Sequence, residues 1–186
     1  MAEYRGVSGI ARQIVKQYRG VSNIARPIIA AWRGVSGVAR KYFSSFAYRI
    51  VPPNANDDGD DMPNGMPAEY SQTVKDGVLN ISGKSTGTSE AAIYINVYGD
   101  NIASKKITFN YTTSGYNAFY STIELSEIGA EGAHTKHQLS STSGSFSKTL
   151  SANTTSIRFS IWFGLSVRTA SLKVSNLKIG GQTVLD

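Results

Sequence analysis

The chain contains no cysteine, which excludes disulfides, thiolate nucleophiles and cysteine-ligated metals. Its two histidines, His134 and His137, stand three residues apart. No apolar run reaches the roughly 18 residues of a membrane span, and Met1-Ala2-Glu3-Tyr4 lacks the charged-then-apolar order of a signal peptide. A protein made in a cytoplasm, soluble and without a membrane partner, is the expectation. Proline is scarce, and four of the five prolines fall between residues 51 and 67. Acidic residues are nearly missing from the first 50 positions, where nine Lys or Arg face Glu3 alone, a net of +8. Residues 51–70 reverse this with five acids and no base, a net of −5, and the remainder holds ten bases and seven acids, a net of +3. The basicity therefore sits at one end, and an acidic partner surface is its simplest counterpart.

That basic end repeats itself at a period of fourteen. Tyr4 to Gln17, Tyr18 to Ala31 and Trp32 to Ser45 each run aromatic, Arg-Gly-Val-Ser, Gly or Asn, Ile or Val, Ala, Arg. One small structural unit is thus copied three times. Arginine recurs every seventh residue, at Arg5, Arg12, Arg19, Arg26, Arg33 and Arg40. Two periods compete. As heptads, Tyr4, Ala11, Tyr18, Ala25, Trp32 and Ala39 with Val7, Ile14, Val21, Ile28, Val35 and Tyr42 form an apolar coiled-coil seam. A helix would then carry Gly6, Gly9, Gly20, Gly34 and Gly37 at about 1 kcal/mol each and Pro27 at about 3. As strands, 7–10, 21–24 and 35–38 become two-residue hairpin turns, and Val, Ile, Tyr and Trp suit the strands between them. The β reading is preferred. A sheet of three such repeats buries little by itself, so it should dock on another protein or pair with copies of itself. Nucleic acid is the disfavoured acidic partner, because no nucleic-acid module accompanies the arginines.

Residues 51–68 are rich in Pro, Gly, Asn and Asp and read as an acidic linker. Its Asp57-Asp58-Gly59-Asp60-Asp61 run lacks the spacing and terminal Glu of a calcium loop. From residue 69 to 186 the pattern becomes short alternating strands, expected at 69–75, 77–82, 91–98, 105–113, 117–125, 145–151, 155–163 and 170–179, with a tail strand at 183–185. The fold class is all-β: an N-terminal 14-residue β-repeat (1–50), then a jelly-roll-type β-sandwich (69–186).

The alternation separates two faces. Ile93, Ile95, Val97, Ile107, Phe109, Tyr111, Phe119, Ile123, Leu125, Ile157, Phe159, Ile161, Phe163, Leu172, Val174, Leu177 and Ile179 form the expected core. The opposite set holds Tyr94, Asn96, Tyr98, Tyr120, Glu124, Arg158 and Trp162. Aromatic platforms pack on sugar rings while Asn, Glu and Arg hydrogen-bond hydroxyls, so this set is the candidate contact surface for a glycan or a protein. Packing under long loops is the plainer alternative. Glu131, His134 and His137 hold too few ligands, in a Gly- and Ser-rich stretch, for a metal site. Glu124 and Glu127 could serve a glycosidase only if they converged on one site, and the sequence gives no sign of it. No catalysis, cofactor or metal is expected.

Tyr4-Arg-Gly-Val-Ser-Gly-Ile-Ala-Arg12 and its copies at 18–26 and 32–40 resemble the short repeats of structural proteins from tailed bacteriophages and prophages of Gram-positive bacteria. Pro27 and Asn23 depart from that pattern in the second copy. The C-terminal part, ending Ala170-Ser-Leu-Lys-Val-Ser-Asn-Leu-Lys-Ile179, is similar in pattern to jelly-roll carbohydrate-binding modules. Together these resemblances imply a non-enzymatic virion protein, made in the host bacterial cytoplasm. Tyr4, Tyr18 and Trp32 with the six arginines would anchor it on capsid or tail proteins or on copies of itself. The sandwich would decorate the particle or adhere to host cell-wall glycan. The alternatives are a purely architectural capsid or tail component whose aromatic face is a subunit interface, and a bacterial lectin-like module.

Overall fold

The computed structural model describes residues 46–55 and 65–185 and, by backbone alone, 4–7, 10–13, 17–21, 24–28, 30–35 and 38–44. The chain divides into two compact units, residues 1–46 and 47–186. In the first unit the strands are β1 (Tyr4–Val7), β2 (Ile10–Gln13), β3 (Gln17–Val21), β4 (Ile24–Ile28), β5 (Ala30–Val35) and β6 (Val38–Ser44). They form three separate antiparallel hairpins, β1-β2, β3-β4 and β5-β6, rather than one sheet. Val7 pairs with Ile10, Val21 with Ile24 and Val35 with Val38, the register expected of two-residue connections. The heptad reading is therefore set aside, for the reason given by its glycines and Pro27. Pro27 is accommodated because β4 has a single neighbour and needs no second ladder. The third hairpin carries an irregularity between Ala31 and Trp32.

The second unit is built from β7 (Phe46–Val51), β8 (Glu69–Lys75), β9 (Val78–Lys84), β10 (Ala91–Gly99), β11 (Lys106–Ser114), β12 (Ser121–Gly129), β13 (Gly132–Gln138), β14 (Ser143–Thr149), β15 (Ser156–Phe163), β16 (Thr169–Ile179) and β17 (Gln182–Thr183). One sheet runs β13-β12-β15-β10-β7; the other runs β14-β11-β16-β9-β8 with β17 on β16. From β9 to β16 the chain changes sheet at every connection except the β12-β13 hairpin, a jelly-roll path. Apart from Phe119 and the half-buried Tyr111, the expected inner residues are buried between the sheets, where Phe109 packs edge-on against Phe159 with centroids 5.2 Å apart. At Gly83 the sheets leave no room for a side chain: an added Cβ would stand 2.9 Å from Ile93 Cδ1 and 3.2 Å from the Phe163 ring.

Three elements differ from the sequence reading. Residues 46–51 form an edge strand of the five-stranded sheet rather than the end of the repeat segment. Residues 132–138, read as loop, are the opposite edge strand. Residues 117–120, read as the start of a strand with Phe119 inward, form a turn in which Asn117 Oδ1 accepts from the backbone N–H groups of Phe119 and Tyr120. That cap delays β12 until Ser121 and leaves Phe119 79% exposed.

Both open sides of the sandwich are tied by polar side chains. On one, Gln72 Nε2 of β8 donates to the carbonyls of Val51 and Tyr94, each at 2.8 Å. On the other, Glu127 is fully buried and accepts from Ser151 N–H at 2.7 Å, Thr154 Oγ1 at 2.9 Å and His137 Nε2 at 2.9 Å, with Lys148 Nζ at 3.5 Å. His137 Nε2 also lies 3.2 Å from Lys148 Nζ. One nitrogen cannot give its proton to Glu127 and also accept Lys148's, and the shorter contact to Glu127 takes precedence.

Candidate functional site: the outer face and loop end of the five-stranded sheet

Cross-strand register arranges the outer face of the five-stranded sheet in rows. Tyr94 stands opposite Ser160 and that opposite Glu124; Asn96 faces Arg158 and that Ser126; Ala92 faces Trp162 and that Thr122. Register places six of the seven candidate residues on this side and leaves Tyr120 in the turn before β12, and they divide into two groups.

Tyr94, Asn96 and Arg158 are fully buried, not displayed. The Arg158 guanidinium lies 4.3 Å from the centre of the Tyr94 ring and its Nε donates to Asn96 Oδ1 at 2.9 Å. Asn96 Nδ2 donates to Tyr98 Oη at 3.0 Å. Tyr94 Oη donates to the Ala55 carbonyl at 2.6 Å, and Val51, Ala92 and Ala55 pack beside the Tyr94 ring. Residues 51–55 therefore run across the outer face at Tyr94. The expectation of an open platform at these three positions is corrected: buried polar atoms need partners, and here Arg158 meets Asn96 and the Tyr94 ring, while Tyr94 and Asn96 also bond Ala55 and Tyr98. Tyr98 is half-buried. Glu124 is also buried, with Lys136 Nζ 3.9 Å away and Ser126 Oγ at 3.4 Å. Glu127 points the opposite way into the sandwich, so the two carboxylates do not converge.

Tyr120 and Trp162 lie at the open end. Tyr120 is 43% exposed and Trp162 half-buried. Tyr120 meets Phe119 and Arg168 there, and the adjoining 164–168 loop carries Leu165 at 65% exposure and Val167 at 63%, none of them marked by the alternation. Two loops, 115–120 and 164–168, carry this cluster except Trp162, which lies near the end of β15. Gly164 N–H donates to the Tyr120 carbonyl at 3.0 Å, and the Trp162 ring lies against Gly164 so closely that a Cβ there would be 3.0 Å from Cη2. The Arg168 guanidinium sits 5.5 Å from the Tyr120 ring centre. Each loop is fixed from behind. Ser121 Oγ donates to the Gly115 carbonyl. Ser85 Oγ donates to the Ser166 carbonyl, and the Arg168 N–H lies 3.0 Å from that same Ser85 oxygen. Gly115 adopts φ +72, and a Cβ on it would be 2.0 Å from the Thr169 carbonyl oxygen. Beside the cluster Tyr116 Oη donates to Gln138 Oε1 at 2.8 Å. Aromatic rings, a guanidinium and amide groups on tied loops suit a neutral, hydroxyl-rich ligand with an apolar face. The signal for Phe119, Leu165 and Val167 in the sequence was their position beside Asn117 and Gly164, where strand alternation stops applying.

Among the described residues no group of three or more His, Asp or Glu could hold a metal. The His134 side chain, the Asp57–Asp61 run, and the side chains of Tyr4, Tyr18, Trp32, Arg5, Arg12, Arg19, Arg26, Arg33 and Arg40 lie outside the described residues. The Glu127 pKa is strongly displaced. Burial alone would raise it, but hydrogen bonds from the Ser151 backbone, His137 and Thr154 outweigh that and bring it from 4.5 down to about 2.

No protein-family model matches the chain, and no curated protein matches it in sequence. Its architecture is similar to that of carbohydrate-binding modules. A point mutant of a carbohydrate binding module family 29 is 12% identical, over 73% of this chain and 93% of that one, with a TM-score of 0.38. A family 4 module is 13% identical over 73% and 95%, with a TM-score of 0.37. The secreted serine protease VesC from Vibrio cholerae is 10% identical over 60% of this chain but only 23% of its own length, with a TM-score of 0.39.

Proposed function

We propose that this chain is a non-enzymatic structural protein of a tailed-phage virion, fastened by its basic repeat to capsid or tail, whose β-sandwich adheres to host cell-wall glycan through Tyr120, Trp162, Phe119 and Arg168. The observation that carries the adhesive part is the exposed Phe119 and Tyr120 beside Arg168 and the half-buried Trp162, on loops tied by part-buried hydrogen bonds. Rigid loops lose little entropy on binding, and aromatic faces stack on sugar rings. Many copies on one particle would convert weak sites into firm attachment. The virion part rests on the repeat resemblance and on three two-stranded hairpins, which are marginal in water until they meet a partner. The non-catalytic part rests on Glu124 and Glu127 facing opposite sides of β12.

A second reading has its own support. Leu165 and Val167 stand exposed on the loop that also carries Arg168, as in a subunit contact within an architectural protein. Paired variants of the full chain separate the two. Under the adhesive reading, Trp162→Ala or Tyr120→Ala abolishes binding to purified host cell walls while particle incorporation persists. Under the architectural reading, Leu165→Ser with Val167→Ser strips the chain from particles, and cell-wall binding is absent from the start.

A further inference from the structure

Strand register places the repeat's arginines opposite one another. Arg5 pairs with Arg12, Arg19 with Arg26 and Arg33 with Arg40, one pair in each hairpin. Direct partners share a sheet face with Cβ atoms about 4.5–5.5 Å apart, and like charges so placed repel. A chain that repeats this arrangement three times, in hairpins of four to seven residues per strand, keeps an unfavourable pairing that an anion between the two guanidinium groups would turn favourable. The next pair toward the turn on the same face is apolar: Val7 with Ile10, Val21 with Ile24, Val35 with Val38. The aromatics fall on the opposite face, because Tyr4, Tyr18 and Trp32 immediately precede Arg5, Arg19 and Arg33 and successive strand residues alternate.

We infer that each hairpin is a two-arginine clamp for one carboxylate of an acidic, partly apolar protein segment, so that the repeat forms three equivalent grips. This inference rests on the reading of the repeat as an anchor and names the chemistry that the anchor grips. A face of arginine and aliphatic pairs fits a strand or helix edge alternating carboxylates with apolar side chains. It fits single-stranded nucleic acid poorly, since base stacking and phosphate contact would need aromatics and arginines on one face. Arginine is suited to a carboxylate because its guanidinium can offer two parallel N–H groups.

The test measures binding of the full chain to a labelled peptide alternating glutamate with valine, and to a single-stranded and a duplex oligonucleotide of matched charge. If one carboxylate is shared by a pair, Arg5→Gln costs about tenfold in peptide affinity, and adding Arg12→Gln costs little more. Adding Arg19→Gln instead, in a different hairpin, multiplies the loss to about a hundredfold. Equal, additive losses for both double variants overturn the shared clamp. Tighter binding of either oligonucleotide, or no peptide binding, overturns the protein partner. Incorporation of a variant with all six arginines changed to glutamine is scored separately on particles. Its retention would refute arginine anchoring while leaving the peptide result to stand or fall alone.

Discussion

Glu127 carries a charge inside the sandwich because four donors surround it, from a backbone N–H, Thr154, His137 and Lys148. Its folded pKa of about 2 lies below the 4.5 expected of an exposed carboxyl. A depressed folded pKa means that its stabilisation is complete above pH 4.5 and is lost as pH falls toward 2. A shift of that size corresponds to roughly 3 kcal/mol as an upper figure. Chemical denaturation across that window should show the loss in the wild type and a nearly flat profile in Glu127→Gln, which would be less stable at pH 7. An unchanged acid limb in the variant would assign acid sensitivity elsewhere. Tyr94 makes a smaller, purely structural contribution. Removing its hydroxyl in Tyr94→Phe deletes the bond to the Ala55 carbonyl and should cost about 1 kcal/mol, read from denaturation midpoints, without changing glycan binding. A loss of binding in Tyr94→Phe would return this residue to the ligand surface.

At the scale of elements, the exposed loops depend on close backbone approach. Gly115→Ala places a methyl group in the left-handed region and against the Thr169 carbonyl. It should cost at least about 1–3 kcal/mol and weaken cell-wall binding, because the 115–120 loop would no longer hold Tyr120 beside Gly164. Calorimetric melting and binding of the same sample check both parts. The inner residues of β10, β12 and β15 were legible in the sequence because Ile, Val, Leu and Phe alternate strictly there. The hairpins of the repeat were legible because Gly and Pro27 are costly in helices. β13 was not, since Gly132 to Gln138 is polar on both faces, as a protected edge strand can be. Phe119 was misplaced because a side-chain cap from Asn117, invisible to periodicity, sets where β12 begins. The burial of Tyr94, Asn96 and Arg158 was hidden for a different reason. What lies over the Tyr94 position comes from residues 51–55, distant in sequence and linker-like in composition.

The whole molecule joins two kinds of β-structure. The hairpin segment concentrates positive charge, and the sandwich holds the described core and presents an aromatic end. On this account, relieving one like-charge pair with Arg12→Gln should stabilise the unbound hairpin by about 0.2–1 kcal/mol while weakening attachment, an opposition that a merely structural arginine would not produce. Amide exchange within β1 and β2 of the free chain, compared with the variant, reads the first part. The central claim is adhesion by the loop end. Its most direct measurement is saturable binding of the full-length chain to purified host cell walls, with Trp162→Ala and Tyr120→Ala alongside. The account predicts saturable binding by the wild type and a loss of about tenfold or more in each variant, with each variant still folded at the assay temperature. Wild-type binding that either variant preserves, or a folded chain that does not bind at all, would contradict it.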